Sequence, residues 1–162
     1  MDAALLFIGS TDTGHPEVDV SLIQRVTQYV EAEALGSRVL FVERSDDVAS
    51  YLSASDVFVL PSAREGHPKT LVEAMACGLA VVGTDAPGIR DVIVSGETGL
   101  LVENDRVAFR EAIARLLADG DRRARLGRHA RDYAREHFSF ARVLEAEMTF
   151  LSEIAEGQSG VA

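Results

Sequence analysis

The 162-residue sequence has one cysteine and no long apolar run. The single thiol, Cys77, excludes an internal disulfide framework and fits a reducing cytosol. The longest apolar runs are VFVL and LAVVG, which have the length of a strand and are far short of a membrane span. The first residues lack the basic and long apolar regions of a signal peptide. These shortages predict a soluble cytoplasmic domain without a transmembrane segment.

Positive charge is also scarce, because 16 Lys and Arg residues face 26 Asp and Glu residues, giving a net charge of -10. This balance argues against a nucleic-acid partner, since phosphate contacts need clustered basic residues. The stretch 119–138 does hold six arginines, but four acids lie among them. We therefore interpret it as a solvated helix face rather than a patch for a membrane surface or a phosphate.

Apolar runs of strand length alternate with helical patterns along the chain, which predicts an α/β class with a doubly wound parallel sheet and C-terminal helices. The predicted strands are 4–9, 38–42, 57–60, 79–83 and 99–102. The predicted helices are about 18–35, 46–52, 69–77, one from Asn104 or Asp105 to near Gly120, 122–137, and one that Ser139 caps. The domain is expected to span 1–156, with 157–162 as a frayed tail. In such sheets ligands bind beyond the carboxyl ends of the strands.

The segment SAREGHPKTLVEAMACG, residues 62–78, follows the third predicted strand. A helix that begins near Lys69 offers unpaired backbone N–H groups and a partial positive charge, which favour an anion. Gly66 permits a close backbone approach, and Pro68 fixes the start of the helix. Glu73 could accept hydrogen bonds from two adjacent hydroxyls, as on a ribose, and Glu65 from a second polyhydroxy group. A nucleotide diphosphate sugar has this layout.

The same residues resemble a known family. The run EGHPKTLVEAMACGLAVVGT is similar to the signature of retaining glycosyltransferases of family 4, also called group 1, which have the GT-B fold. Seven residues separate Glu65 from Glu73, as in that family's two-glutamate motif. The flanking runs ASDVFVLPS and PGIRDVIVSGETGLLV also resemble its pattern, and the likeness covers roughly Leu5 to Ile154. Without this pattern, two acids on a helix surface would be the preferred interpretation.

The resemblance implies a Rossmann-like half of the GT-B fold that binds the donor, a nucleotide diphosphate sugar. It implies sugar transfer, with retention at the anomeric carbon, to an acceptor glycan, lipid or small molecule held by a separate N-terminal domain. The visible motif calls for no cofactor and no metal. His15, His129 and His137 form no metal-spaced set, and we interpret His67 as packing in its loop or facing solvent rather than donating a proton.

Roles follow from the resemblance position by position. Glu65 would act at the donor sugar as the catalytic residue, and Glu73 would hold the ribose hydroxyls. Backbone amides around Thr70 and Leu71 would contact the diphosphate, and the base would lie near 43–45. The full substrate-binding set implied is Gly66, His67, Pro68, Lys69, Thr70, Leu71, Glu73, Glu43, Arg44 and Ser45.

Departures from the family pattern are also visible. We expect the acceptor domain and the donor domain's own first strand to be missing, together with the basic elements that grip the diphosphate in the family. Pro87 and Gly88 stand where the family often has two glycines, and Asp91 stands where Glu is common. The local positive candidates are Arg64, Lys69 and Arg90. We therefore expect weak donor binding and no turnover from this chain alone.

Two other hypotheses stay open. One is a non-catalytic module of the same fold that binds a partner or regulates a full-length enzyme. The other is a different doubly wound domain, such as a receiver-like fold, which would need an acidic cluster after the first strand, where only Asp12 stands. A sheet edge left open by the missing strand would invite a homodimer. In a full-length enzyme the domain could also be peripheral to the inner membrane face.

Overall fold

The computed structural model describes residues 3–9 and 20–158, with side chains described for 3–9 and 21–154. The chain forms two compact units, Met1–Val48 and Ala49–Ala162. In these described residues, five strands form two parallel sheets, with two strands in the first unit and three in the second. Helices flank these strands, so the predicted α/β class with parallel strands is confirmed.

The first unit consists of β1 (Leu5–Ile8), α1 (Val20–Ala32) and β2 (Val39–Val42). The two strands are parallel, with Leu5 opposite Val39. The prediction that α1 continues to Leu35 was wrong, because Ala34 adopts a left-handed φ of 54° and the helix ends at Ala32. The predicted start at Val18 and the acid Asp12 lie outside the described residues.

The sheet of the second unit contains β3 (Val57–Leu60), β4 (Ala80–Thr84) and β5 (Leu100–Val102), in that order. All three are parallel, and the central strand β4 is buried along its whole length. Continuous apolar runs suit a strand covered on both faces, which explains why the sequence pattern located these strands to within a residue or two.

In the described residues, five helices follow β2: α2 (Val48–Ser53), which begins at the boundary between the units, and α3 (Lys69–Ala76), α4 (Arg106–Ala118), α5 (Gly120–Phe138) and α6 (Phe140–Gln158) of the second unit. Asp105 begins α4, since its carboxylate accepts from the N–H groups of Val107 and Ala108 at 2.8 and 3.0 Å. Asp119 alone joins α4 to α5: its N–H donates to Arg115 O at 3.1 Å, and its carboxylate accepts from Arg122 N–H at 2.9 Å.

The two faces of β4 pack against different parts of the chain. Ala80 and Val82 lie in a cluster with Phe109, Leu116 and Leu126 of α4 and α5. On the other face, a Cβ built on Gly83 would lie 2.6 Å from Ile89 Cγ2, so the connection between β4 and β5 folds directly against the strand. This connection is a packed turn rather than a helix.

Helix α5 runs beside α3. Near the start of α5, Arg123 Nη2 lies 3.4 Å from Oδ1 of Asp56, the residue before β3. At the end of α5, the ring centroid of Phe138 lies 6.1 Å from that of His67, in the loop after β3. Between these points, a Cβ on Gly127 would come within 2.1 Å of the carbonyl oxygen of Gly78. The backbones therefore touch, and the last turn of α5 lies at the start of α3.

Two details of the C-terminal helices differ from the sequence interpretation. Arg123 is not part of a solvated face, because it is only 26% exposed and donates to Leu116 O at 2.8 Å. Helix α6 continues to Gln158, so the first two residues of the predicted frayed tail are helical, and 159–162 lie outside the described residues. Helix α6 has an exposed row of apolar side chains: Val143, Leu144, Met148, Leu151 and Ile154.

Candidate functional site

The loop between β3 and α3 carries Glu65, which is half-buried. Its N–H donates to the carbonyl oxygen of Pro87 at 3.2 Å. Gly88 lies directly against the same residue, since a Cβ there would be 2.2 Å from Glu65 O, and its φ is +82°. Packing thus requires glycine at 88. A Cβ on Gly66 would meet no atom of the described residues within 4 Å, so packing against these residues does not require glycine at that position.

The turn that contains Gly88 is held by its own side chains. The Asp91 carboxylate accepts from the Gly88 N–H at 3.2 Å. Arg90 turns away, donating from Nε to Asp85 Oδ1 at 2.9 Å and from Nη2 to the Asp85 carbonyl oxygen at 3.0 Å. Arg90, one of the three positive candidates, is therefore engaged with an acid of its own turn.

Helix α3 begins after the buried residue Pro68, which has no side-chain cap bond. The Lys69 N–H donates to His67 O at 2.9 Å, and the Leu71 N–H donates to Pro68 O at 3.0 Å. Of the two amides predicted to contact a diphosphate, Leu71 is therefore already bonded, and its side chain is fully buried. Within the described part of the chain, the N–H groups of 66, 67 and 70 have no hydrogen-bond partner.

Glu73 lies one turn into α3 on its exposed side, together with Lys69 and Thr70. The opposite side of the helix is fixed by Leu71 and Met75, both fully buried. Burial of these two residues fixes the rotation of the helix about its axis, so the Glu73 side chain stays on the exposed side. Residues 65–73 thus present two carboxylates and the three unpaired amides along one short segment.

The remaining predicted residues follow β2 in the first unit. Glu43 and Arg44 are exposed, and Ser45 is half-buried. The Ser45 hydroxyl accepts from the Asp47 N–H at 3.1 Å, which closes a tight turn after the strand. Among the residues described in both units, no group of three or more His, Cys, Asp or Glu side chains could hold a metal ion. In the same residues, no helix has the length and apolarity to cross a membrane.

Two features beside this segment were missed from the sequence. The ring centroids of His67 and Phe138 are 6.1 Å apart, and those of Tyr133 and His137 are 4.2 Å apart. An aromatic cluster at the end of α5 therefore contacts the loop before α3. His67 itself is exposed and contacts this cluster from the loop. The four-residue spacing of Tyr133 and His137 predicts that their rings lie on one face of a helix. It does not predict that this face lies near α3.

The second missed feature is Thr84, the last residue of β4. It is 2% exposed, and its hydroxyl has no hydrogen-bond partner among the described residues. A threonine at a strand end is ordinary in sequence, so no pattern signalled a buried, unpaired hydroxyl.

Comparisons with known proteins match nearly the whole chain. The family described as Glycosyl transferases group 1 matches residues 2–133. N-acetyl-alpha-D-glucosaminyl L-malate synthase of Bacillus anthracis is 33% identical over 155 residues, covering 95% of this chain and 38% of the relative. Alpha-maltose-1-phosphate synthase of Mycolicibacterium smegmatis is 34% identical over 158 residues, covering 93% and 40%. The chain thus spans about two fifths of the length of these relatives.

Solved structures agree with the fold. Sucrose-phosphate synthase from Thermosynechococcus elongatus has a TM-score of 0.83 at 33% identity, over 94% of this chain and 39% of that one. Anabaena HepE, in complex with UDP, has a TM-score of 0.79 at 22% identity, over 98% and 41%.

Proposed function

Because the chain belongs to the group 1 glycosyl transferases, we propose that it is the donor-binding portion of an enzyme that moves a sugar from a nucleotide diphosphate sugar to an acceptor, with retention at the anomeric carbon. The observation that carries the proposal is the segment 65–73, where two carboxylates flank three unpaired amides at a helix start. The fold accommodates such a ligand in Anabaena HepE, whose structure holds UDP-glucose.

In this proposal each group of the ligand meets one part of the segment. The ribose hydroxyls donate to the ionised Glu73 carboxylate, which has acceptor capacity for both. The diphosphate accepts from the unpaired amides at 66, 67 and 70, at the positive end of α3. Lys69, exposed on the same helix turn, adds a positive charge. Glu65 lies at the sugar.

The acceptor is proposed to bind residues outside this chain, which spans about 40% of its relatives. Donor affinity is expected to be low. Arg90 is engaged with Asp85 and the Leu71 amide with Pro68, so fewer donors face the diphosphate. One charge-assisted hydrogen bond to the diphosphate contributes about 1.5–3 kcal/mol. The loss of two such bonds therefore weakens donor binding by roughly a hundredfold or more. No cofactor or metal takes part in the proposal.

The proposal is tested by a chemical-shift titration of this chain with UDP, GDP and ADP, followed by the matching nucleotide sugars. We expect shifts at the amides of 66, 67 and 70, and the nucleotide that produces them identifies the base. An absence of shifts at millimolar nucleotide would contradict a donor site formed by this chain alone: the site would then need the strand that we expect to be missing, or the chain would keep this fold for a purpose other than sugar transfer.

The ribose assignment is tested by Glu73→Ala. Loss of an ionised acceptor for two hydroxyls should raise the dissociation constant of the preferred nucleotide by roughly ten- to a hundredfold. Glu153→Ala, which removes the same charge from the exposed surface of α6, should leave that constant unchanged. An unchanged constant in Glu73→Ala would show that Glu73 does not contact the ribose.

A further inference from the structure

The backbone of Glu65 is clamped by a turn more than twenty residues later in the chain. Its N–H donates to Pro87 O at 3.2 Å, and its carbonyl lies so close to the Gly88 Cα that no Cβ fits there. Both backbone groups of Glu65 are thus in contact with two consecutive residues. The direction in which the Glu65 side chain leaves the loop therefore depends on where 87 and 88 lie.

The clamping turn has one buried side and one exposed side. Ile89, Val92 and Ile93 are buried, and Ile89 and Ile93 pack against Gly83 of β4, which anchors the turn to the sheet. On the exposed side, the Asp91 carboxylate accepts from the Gly88 N–H at 3.2 Å. This bond joins the anchored part of the turn to the residue that touches Glu65. Because Gly88 has no side chain of its own, it is otherwise the most conformationally free residue of the clamp.

We infer that Asp91 is a positioning residue, which orients the Glu65 carboxylate toward the donor sugar by holding Gly88. The inference rests on the proposed function and deepens it. Asp91 contacts no part of the donor in this scheme, and its effect passes through Gly88 and then through the backbone of Glu65. The effect is therefore expected to be strongest at the sugar, because the ribose meets Glu73 of α3, which the clamp does not touch, and the diphosphate also meets the α3 amide of residue 70.

The test uses Asp91→Ala in the full chain, with two readouts. The first is hydrogen exchange of the Glu65 amide, which should accelerate at least about tenfold when the clamp loosens. The second is a pair of dissociation constants, one for the preferred nucleoside diphosphate and one for its nucleotide sugar. We expect the nucleotide sugar to bind about three- to tenfold more weakly and the nucleoside diphosphate to lose clearly less affinity than the nucleotide sugar. A structural role alone would weaken both ligands together.

Two further variants sharpen the result. Asp91→Asn keeps an oxygen that accepts from the Gly88 N–H, so it should restore slow exchange and sugar affinity. Glu97→Ala removes the same charge from an exposed turn of the same connection, and should change neither readout. If Glu97→Ala reproduces the loss, net charge rather than positioning is responsible and the inference is overturned.

The inference and the proposed function fail in different ways. If the wild-type chain binds the nucleotide sugar and Asp91→Ala binds it equally well, the positioning role is overturned and the proposed function stands. The same holds if both ligands weaken equally. If the wild-type chain binds neither ligand, the proposed function fails and the sugar-positioning role falls with it, whatever the exchange of the Glu65 amide shows.

Discussion

Replacement of Gly88 by alanine should destabilise the second unit strongly, for two separable reasons. A left-handed backbone costs an ordinary residue about 1–2 kcal/mol, and Gly88 has a φ of +82°. In addition, the new Cβ would lie 2.2 Å from Glu65 O and 2.7 Å from Glu65 C, both backbone atoms that cannot turn aside. Forced overpacking of this kind costs about 1–3 kcal/mol. The expected loss in free energy of unfolding is therefore about 2–5 kcal/mol.

Gly96 is a matched control for this substitution. Its φ is +84°, but a Cβ there would meet nothing within 4 Å. Gly96→Ala therefore carries the backbone cost alone, about 1–2 kcal/mol. The reduced freedom of the unfolded chain affects both variants alike and cancels in their difference. That difference isolates the contact between Gly88 and Glu65.

The assay is a urea titration monitored by NMR through the amide signals of β4. These signals lie in the second unit and therefore report its unfolding. Gly88→Ala should also shift the Glu65 amide signal in the folded state, whereas Gly96→Ala should not. Equal losses of stability in the two variants would refute the argument, because they would show that the Glu65 backbone moves aside at no cost.

Two other substitutions probe the packing of the same unit. Gly127→Ala should destabilise it by about 1–3 kcal/mol, although Ala normally stabilises a helix interior, because the Cβ would lie 2.1 Å from Gly78 O. The control Gly120→Ala should not destabilise it, since the nearest atom of the described residues would be Arg123 Nη2 at 4.0 Å. A stabilising effect of Gly127→Ala would contradict the close approach to Gly78. Thr84→Val should raise the free energy of unfolding by about 1 kcal/mol, since it removes a buried hydroxyl without a partner, and a loss of stability would reveal a hydrogen bond to that hydroxyl.

The sequence predicted local structure well where residues with special backbone preferences mark the boundaries. Helix α3 begins at Lys69 and ends at Ala76, as Pro68 and Gly78 indicated. The end of α1 was predicted less well, because Ala34 takes a left-handed conformation and the helix ends before Leu35. The turn is closed locally, since the Leu35 N–H donates to Val30 O at 2.8 Å, and an alanine carries no sequence signal for such a turn.

The family and the α/β class were confirmed, because they depend on motifs and apolar runs that one segment displays by itself. The surroundings of the segment could not be predicted in the same way. Nothing in the sequence indicates that Gly88 lies against the backbone of Glu65. Likewise, the bond that occupies the Leu71 amide depends on how tightly the first turn of α3 closes, which residue types do not fix.

The single-residue junction at Asp119 fixes the rotation of α5 about its own axis relative to α4. This residue ends α4 and begins α5, so no slack exists in which an inserted residue could be absorbed. One extra residue within α5 before Gly127 would rotate the rest of the helix by about 100° about its axis. Gly127 would leave the Gly78 carbonyl, and Phe138 would leave His67. The length of chain between residues 119 and 127 is therefore as strictly constrained as the identity of the glycine that ends it.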